Sequence, residues 1–263
     1  MPKLYPLFSG SKGNCYCITY GEKSILIDVG KSAKQIEQAF KDHSLDIRSV
    51  QGIFITHEHT DHIKGVRVLA SKYGFDVYAT NGTLNEMDKT HHLVPEKFRS
   101  HTVGNGKDVG GMTVKPFRTS HDCAESVGYI VETAGGRTVA VLTDTGCITQ
   151  EILHALKGCD VAVIESNHDV NMLLNGKYPY PLKRRILSNY GHISNDTCSS
   201  LLPTLVSSGT TRIVLAHLSK ENNMPQLALQ SARCTLQKAD MKENFDYTLT
   251  FARESNNSEC IVF

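Results

Sequence analysis

Short apolar blocks separated by turn residues set the rhythm of this chain. Cys15 to Tyr20 and Ser24 to Asp28 read as strands. Ala33 to Lys41 reads as a helix, with Ser32 and Gln35 in capping-box register and Ile36, Ala39 and Phe40 on its apolar face. Gly52 to Thr56 is a buried strand. A second helix is expected from about His62 to Lys72, with Ile63, Val66, Leu69, Ala70 and Tyr73 on one stripe. Val77 to Ala79 then reads as a short strand and Gly82 to Lys89 as a helix.

The second half follows the same pattern. Thr113 to Thr119, Gly128 to Thr133 and Thr138 to Leu142 read as strands, with a turn at Gly135-Gly136. Thr149 caps a helix through Lys157, and Val161 to Ile164 is a buried strand. Asp196 to Val206 is helical, with a kink expected at Pro203. Arg212 to Ala216 is a strand, Pro225 to Lys238 a helix, and Phe245 to Phe251 a last alternating strand. Strands and helices in both halves predict a layered α/β or α+β fold. The tail after Arg253 is polar apart from Ile261 to Phe263 and receives no assignment.

Composition narrows the function classes. Of 263 residues, 40% are hydrophobic, and 28 Lys plus Arg against 27 Asp plus Glu leave a formal charge of +1. Disorder and coiled coil are excluded, and a nucleic-acid partner must be held by a local patch or a metal. No apolar run is long enough for a membrane span, and Met1 to Gly30 lacks the pattern of a signal peptide. Eight cysteines without a CxxC pair predict thiols in a reducing, cytoplasmic setting.

Chemistry concentrates in Thr56-His57-Glu58-His59-Thr60-Asp61-His62, directly after a buried strand. In extended chain His57 and His59 point the same way, while Asp61 and His62 fall at the start of the next helix. Glu58 points away from the paired histidines. Imidazoles and carboxylates suit zinc, manganese or iron, and such a turn suits two ions about 3.5–4 Å apart. Further ligands are expected at later strand ends: His121, Asp144 and His217.

These residues resemble the HxHxDH motif and later ligands of the metallo-β-lactamase fold hydrolases, over about Leu4 to Lys238. The resemblance implies a four-layer αβ/βα sandwich of α+β class, with residues 1–263 as one domain of two similar halves, roughly 1–130 and 131–263. It implies His57, His59 and His121 on one divalent ion, Asp61, His62 and His217 on a second, and Asp144 shared, the ions being Zn2+ or Mn2+, with Fe2+ allowed. The finer resemblance is to the YycJ (WalJ) branch of DNA exonucleases. It is carried by Phe8 to Asn14, Ser120-His121-Asp122, Thr143 to Gly146, Glu165 to Asp169, Gly191 to Asn195 and Leu215 to Ser219. Too few residues separate Asp169 from His217 for the inserted domain of the larger RNA-cleaving relatives.

The expected function is a dinuclear phosphodiesterase, a 5′-to-3′ DNA exonuclease using a metal-bridging hydroxide, with Asp61, Asp144 and His192 in catalysis. An RNA or small-molecule phosphodiesterase and a non-catalytic metal-binding regulator are the alternatives. His192 is a proton donor or phosphate holder, His168 a ligand orienter or substrate contact, and Asp122 a partner for a ligand histidine. Asn195 belongs to the Gly191-His192 loop as a substrate contact. The polar loop from Ser9 through Ser11 to Asn14 either holds a phosphate through its amides or closes a hairpin. Lys177, Lys183, Arg184 and Arg185, with Tyr178, Tyr180 and Tyr190 around them, either track a nucleic-acid backbone or form a solvated helix face. DNA ends are the expected partner, a membrane is not, and the oligomeric state, a dimer included, stays open.

Overall fold

Parallel strand pairs decide where this chain can place polar side chains, because their C-terminal ends open on one edge. The computed structural model describes residues 1–255 and 259–263, so residues 256–258 of the polar tail lie outside the described residues. The chain divides into two units. One holds Met1–Pro116, Cys123–Arg137 and Arg253–Phe263, the other Phe117–Asp122 and Thr138–Ala252.

The first unit opens with β1 (Lys3–Phe8), β2 (Cys15–Tyr20) and β3 (Lys23–Ile27), an antiparallel run. Helix α1 (Ala33–Asp42) follows, then β4 (Val50–Phe54), which pairs parallel with β3. The single helix expected after His62 is two: α2 (Thr60–Ile63) and α3 (Val66–Tyr73). They part at Gly65, whose amide donates to Val29 O rather than to a helical carbonyl. Strand β5 (Val77–Ala79), helix α4 (Asn81–Lys89) and strand β6 (Ser100–Thr102) extend the sheet in parallel. Strands β7 (Lys107–Val109), β8 (Met112–Arg118) and β9 (Val127–Thr133) are successive neighbours. The unassigned tail returns here, with Ile261 and Val262 pairing antiparallel with β1.

The capping box expected at Ser32 and Gln35 is present. Ile36, Ala39 and Phe40 of α1 and Val66, Leu69 and Ala70 of α3 are buried on the sheet with Leu26, Ile53 and Ile55. Burying each of the larger of these side chains contributes roughly 1.5–3 kcal/mol, which holds the helices on the sheet.

The second unit is built on four parallel strands: β10 (Thr138–Leu142), β11 (Val161–Glu165), β12 (Arg212–Ala216) and β13 (Thr248–Phe251). The last begins three residues later than expected, because Asn244 turns left-handed (φ 65°) and Asp246 accepts from the Lys242 amide. Helix α5 (Gln150–Leu156) is capped by Thr149 as expected, and α6 (Val170–Asn175) and α7 (Tyr180–Ile186) precede α8 (Asn195–Ser207), which contains Pro203, and α9 (Pro225–Lys238). Every residue of β11 is buried, as a strand covered on both faces requires. The register pairs Glu165 with Ala216 and Leu142 with Ile164. The chain therefore leaves β10, β11 and β12 at nearly one level.

Among the described residues no helix is long and apolar enough to cross a membrane, and no disulfide joins any of the eight cysteines.

Candidate metal centre

In the first unit the donors sit where β3 and β4 end. Asp28 follows β3 in a left-handed conformation (φ 61°) and is fully buried. Its Oδ1 accepts the Thr56 amide at 2.8 Å, and its Oδ2 accepts the Thr56 hydroxyl at 2.8 Å. The same Oδ2 lies 2.7 Å from Nδ1 of His62. This carboxylate fixes the His62 ring, so Nε2 is the atom that could act as a ligand. Nε2 lies 3.6 Å from Asp61 Oδ2 and 3.0 Å from the Asn14 amide nitrogen. Thr56 Oγ1 also reaches Nδ1 of His57 at 3.1 Å. The His57 ring is 4.6 Å from that of His59 and 4.1 Å from that of His62, centroid to centroid. The heptad thus gathers its histidines as its spacing predicts. Glu58 turns away, accepting the Ala124 amide at 2.7 Å.

In the second unit Asp144 (φ 56°) and His217 (φ 53°) also leave their strands left-handed. Non-glycine residues rarely adopt this conformation, and it clusters where a side chain must be aimed. Asp144, Glu165, His192 and His217 each offer one donor atom, all within 4.8 Å of one another. Glu165 is the hub. Its Oε1 meets Nδ1 of His192 at 2.7 Å and Nδ1 of His217 at 3.0 Å, while Oε2 accepts the amides of Thr145 and Ile193. Asp144 Oδ1 lies 3.5 Å from His217 Nδ1 and 3.6 Å from His192 Nδ1. His121 places Nδ1 3.0 Å from Gly191 O and Nε2 3.4 Å from Asp122 Oδ1.

The Asp28 and Glu165 carboxyls titrate in opposite directions. Burial drives the Asp28 carboxyl above the ordinary range, and His62 and Thr56 offset only part of it. Burial acts on Glu165 too, but His192 and the hydrogen bonds from His192 and His217 outweigh it, and its carboxyl falls to about 2. Glu165 faces two histidine rings and Asp28 only one, and that difference decides the sign. Burial lowers His168 to about 4, so it is a neutral imidazole near pH 7. The donor set of each unit, imidazoles and carboxylates with ring nitrogens braced from behind, fits a divalent cation.

Several expected substrate contacts are buried and internal. Ser9 Oγ meets Tyr16 OH at 2.9 Å. Asn14 accepts the Gly10 amide at 2.9 Å and donates to Gly10 O. The amides of Ser9, Gly13 and Asn14 go to Arg253 O, Gly10 O and Asp61 O. The loop therefore closes a hairpin rather than offering its amides to a phosphate; Ser11 alone of the three named side chains is exposed. Asn195 is held by Ser166 and Asn223, and His168 is 1% exposed. Neither side chain is open to solvent.

The basic cluster is also partly engaged. Arg185 grips Asp122 with two hydrogen bonds, and Lys183 Nζ donates to Leu174 O at 2.7 Å. Arg184 lies over the exposed Tyr180 ring, 6.0 Å from its centroid. Asp28 and Glu165 are the functional residues that sequence reasoning missed as such. Each closes an apolar strand, and that position was the available signal.

Comparison with known proteins follows the same lines. The family described as the β-lactamase superfamily domain matches residues 23–218. The chain is 42% identical over 234 residues to exodeoxyribonuclease YycJ of Bacillus anthracis, covering 88% of each protein. It is 35% identical over 244 residues to exodeoxyribonuclease WalJ of Streptococcus pneumoniae, covering 92% of this chain and 90% of that one. The metallo-β-lactamase fold protein YhfI of Bacillus subtilis superposes over the whole of both chains with a TM-score of 0.73 at 14% identity, which shows a shared fold.

Proposed function

Because the chain belongs to the β-lactamase superfamily and has the α+β metallo-β-lactamase fold, we propose that it is a metal-dependent hydrolase that cleaves DNA from an end, in the 5′-to-3′ direction. The exonuclease names of its relatives support the substrate class. The observation that carries the chemistry is the bracing of His62 by Asp28, and of His192 and His217 by Glu165. A carboxylate behind an imidazole is what a metal-ligating histidine needs.

The proposed ligand set is His57, His59 and His121 for one divalent ion and Asp61, His62 and His217 for a second, with Asp144 shared, in one domain to which both halves contribute. Zn2+ and Mn2+ suit these donors. When bound, the ions would supply Lewis acidity, acidifying water and offsetting charge on the phosphoryl oxygens.

The chain's own residues do the rest. Asp144, beside the His192 and His217 rings, is placed to accept a proton from the attacking water. In its imidazolium form His192 donates Nδ1–H to the Glu165 carboxylate and carries a second proton on Nε2, which would pass to the leaving oxygen as the P–O bond breaks. Its side chain is 14% exposed, enough to be reached and dry enough to strengthen the hydrogen bond. Arg184 and Tyr180 offer a charge and a stacking face to the strand. Thiols outside disulfides fit a cytoplasmic enzyme.

End-labelled DNA incubated with the purified protein and added Mn2+ should release mononucleotides from the 5′ end, and a chelator should stop it. Turnover of a β-lactam with every phosphodiester left intact would remove the reading. Cleavage of RNA alone would move it to the ribonuclease alternative.

A further inference from the structure

The first unit carries an open pocket of about 430 Å³ whose lysines the chemistry above does not use. Its wall includes Ser11, Lys12, Lys31, Thr60, Asp61 and Lys64. Three segments of chain meet to make it, tied by backbone hydrogen bonds: Asn14 N to Asp61 O, Gly30 N to Asn14 O and Gly65 N to Val29 O, each 2.8–2.9 Å. A Cβ at Gly30 would strike Asp61 O, so glycine there lets the second and third segments touch. The three lysines are thereby held on a rigid frame around one space.

Their charge is only lightly answered. Lys12 Nζ is 3.7 Å from Glu254 Oε1, a long, exposed pair worth little. Lys31 lies over the Phe8 ring at 5.6 Å and is partly buried. Burial holds its ammonium below the ordinary range; Glu254 and Asp61 oppose this, while Lys64 and Lys12 add to it. Three cations against the Glu254 and Asp61 carboxylates, with the Ser11 and Thr60 hydroxyls beside them, leave one positive charge over, a setting that an oxyanion relieves.

We propose that this pocket is a phosphate-binding subsite, which takes a phosphate of the polynucleotide other than the one being cut. The assignment rests on the nuclease reading, because Asp61 is both a wall of the pocket and a proposed metal ligand. The phosphate has two sources, a terminal phosphomonoester or an interior diester of the same strand. Lysines suit either, as compact point charges that need no fixed plane.

The test is binding, read separately from cleavage. Phosphorothioate-linked oligothymidylates bearing a 5′-phosphate, a 3′-phosphate or neither are titrated calorimetrically into the purified protein at several salt concentrations. The variant Lys12→Gln/Lys31→Gln/Lys64→Gln should bind at least tenfold more weakly, with a log–log salt slope shallower by about 0.7. Loss confined to one phosphorylated oligomer identifies a terminal phosphate, and equal loss on all three an interior one. Lys64→Gln alone, on an exposed side chain, should show the same change at smaller size even if the triple variant folds poorly. Wild-type affinity and slope in the variants would overturn the proposal. So would an equal loss in Lys157→Gln/Lys238→Gln/Lys242→Gln, three exposed lysines elsewhere. Cleavage of ordinary labelled DNA is followed in parallel. If the wild-type protein cuts nothing while the variant still loses affinity, the nuclease reading fails and the subsite stands.

Discussion

Nδ1 of His62 lies 2.7 Å from Oδ2 of Asp28, with both side chains fully buried. Asp28→Asn keeps the shape and removes the charge that raises the basicity of the His62 ring. Metal affinity is expected to fall about 10–100-fold. Competition with a chromophoric chelator checks it, and an unchanged affinity would show that Asp28 only holds Thr56.

Glu165→Gln should have a second signature, in acid. The wild-type carboxyl titrates at about 2 in the folded chain, against an ordinary value of 4.5. Its contribution to stability is therefore complete above the unfolded value and is lost as pH falls from there toward about 2. Unfolding followed over that window, in chelator, should be less pH-dependent for the glutamine variant. A parallel pH profile would mean that Glu165 is not ionised in the fold.

Removing metal should abolish hydrolysis and lower the melting temperature, and adding it back should restore both. At a free ion concentration 100 times its Kd, binding adds about 2.7 kcal/mol to stability. Scanning calorimetry with and without chelator measures this. Identical melting curves would argue against a bound ion.

Arg184 and Arg185 adjoin in sequence but should behave differently. Arg185→Ala removes the clamp on Asp122 beside His121, in a half-exposed setting, for less than about 1 kcal/mol of stability. Its main effect should be on kcat. Arg184→Ala should raise KM for oligonucleotides and flatten its salt dependence. Steady-state kinetics on one DNA substrate at two salt concentrations separates the cases.

The candidate ligands were legible because they crowd into one heptad and recur after apolar strands. Asp28 and Glu165 were not, since each makes its contacts with residues 20 or more positions away. Their place at the end of an apolar strand marks them, but not which residues they brace. The same limit applies to the fold. The break between α2 and α3 is set by a hydrogen bond from Gly65 to Val29, and the first strand, Lys3–Phe8, contains Pro6 and is recognised by its pairing with Cys15–Tyr20. The fold class followed from the strand and helix rhythm together with the family motifs, and the solved structure of YhfI shares it.

Asp28, Asp144 and His217 all stand on backbone that glycine would occupy with less strain. Three glycines there would leave a chain with easier turns and a poorer grip on a cation. Ease of turning and chemistry pull against each other at these corners, and at the first of them glycine would also strand the buried Thr56 and His62 groups that the Asp28 carboxylate satisfies.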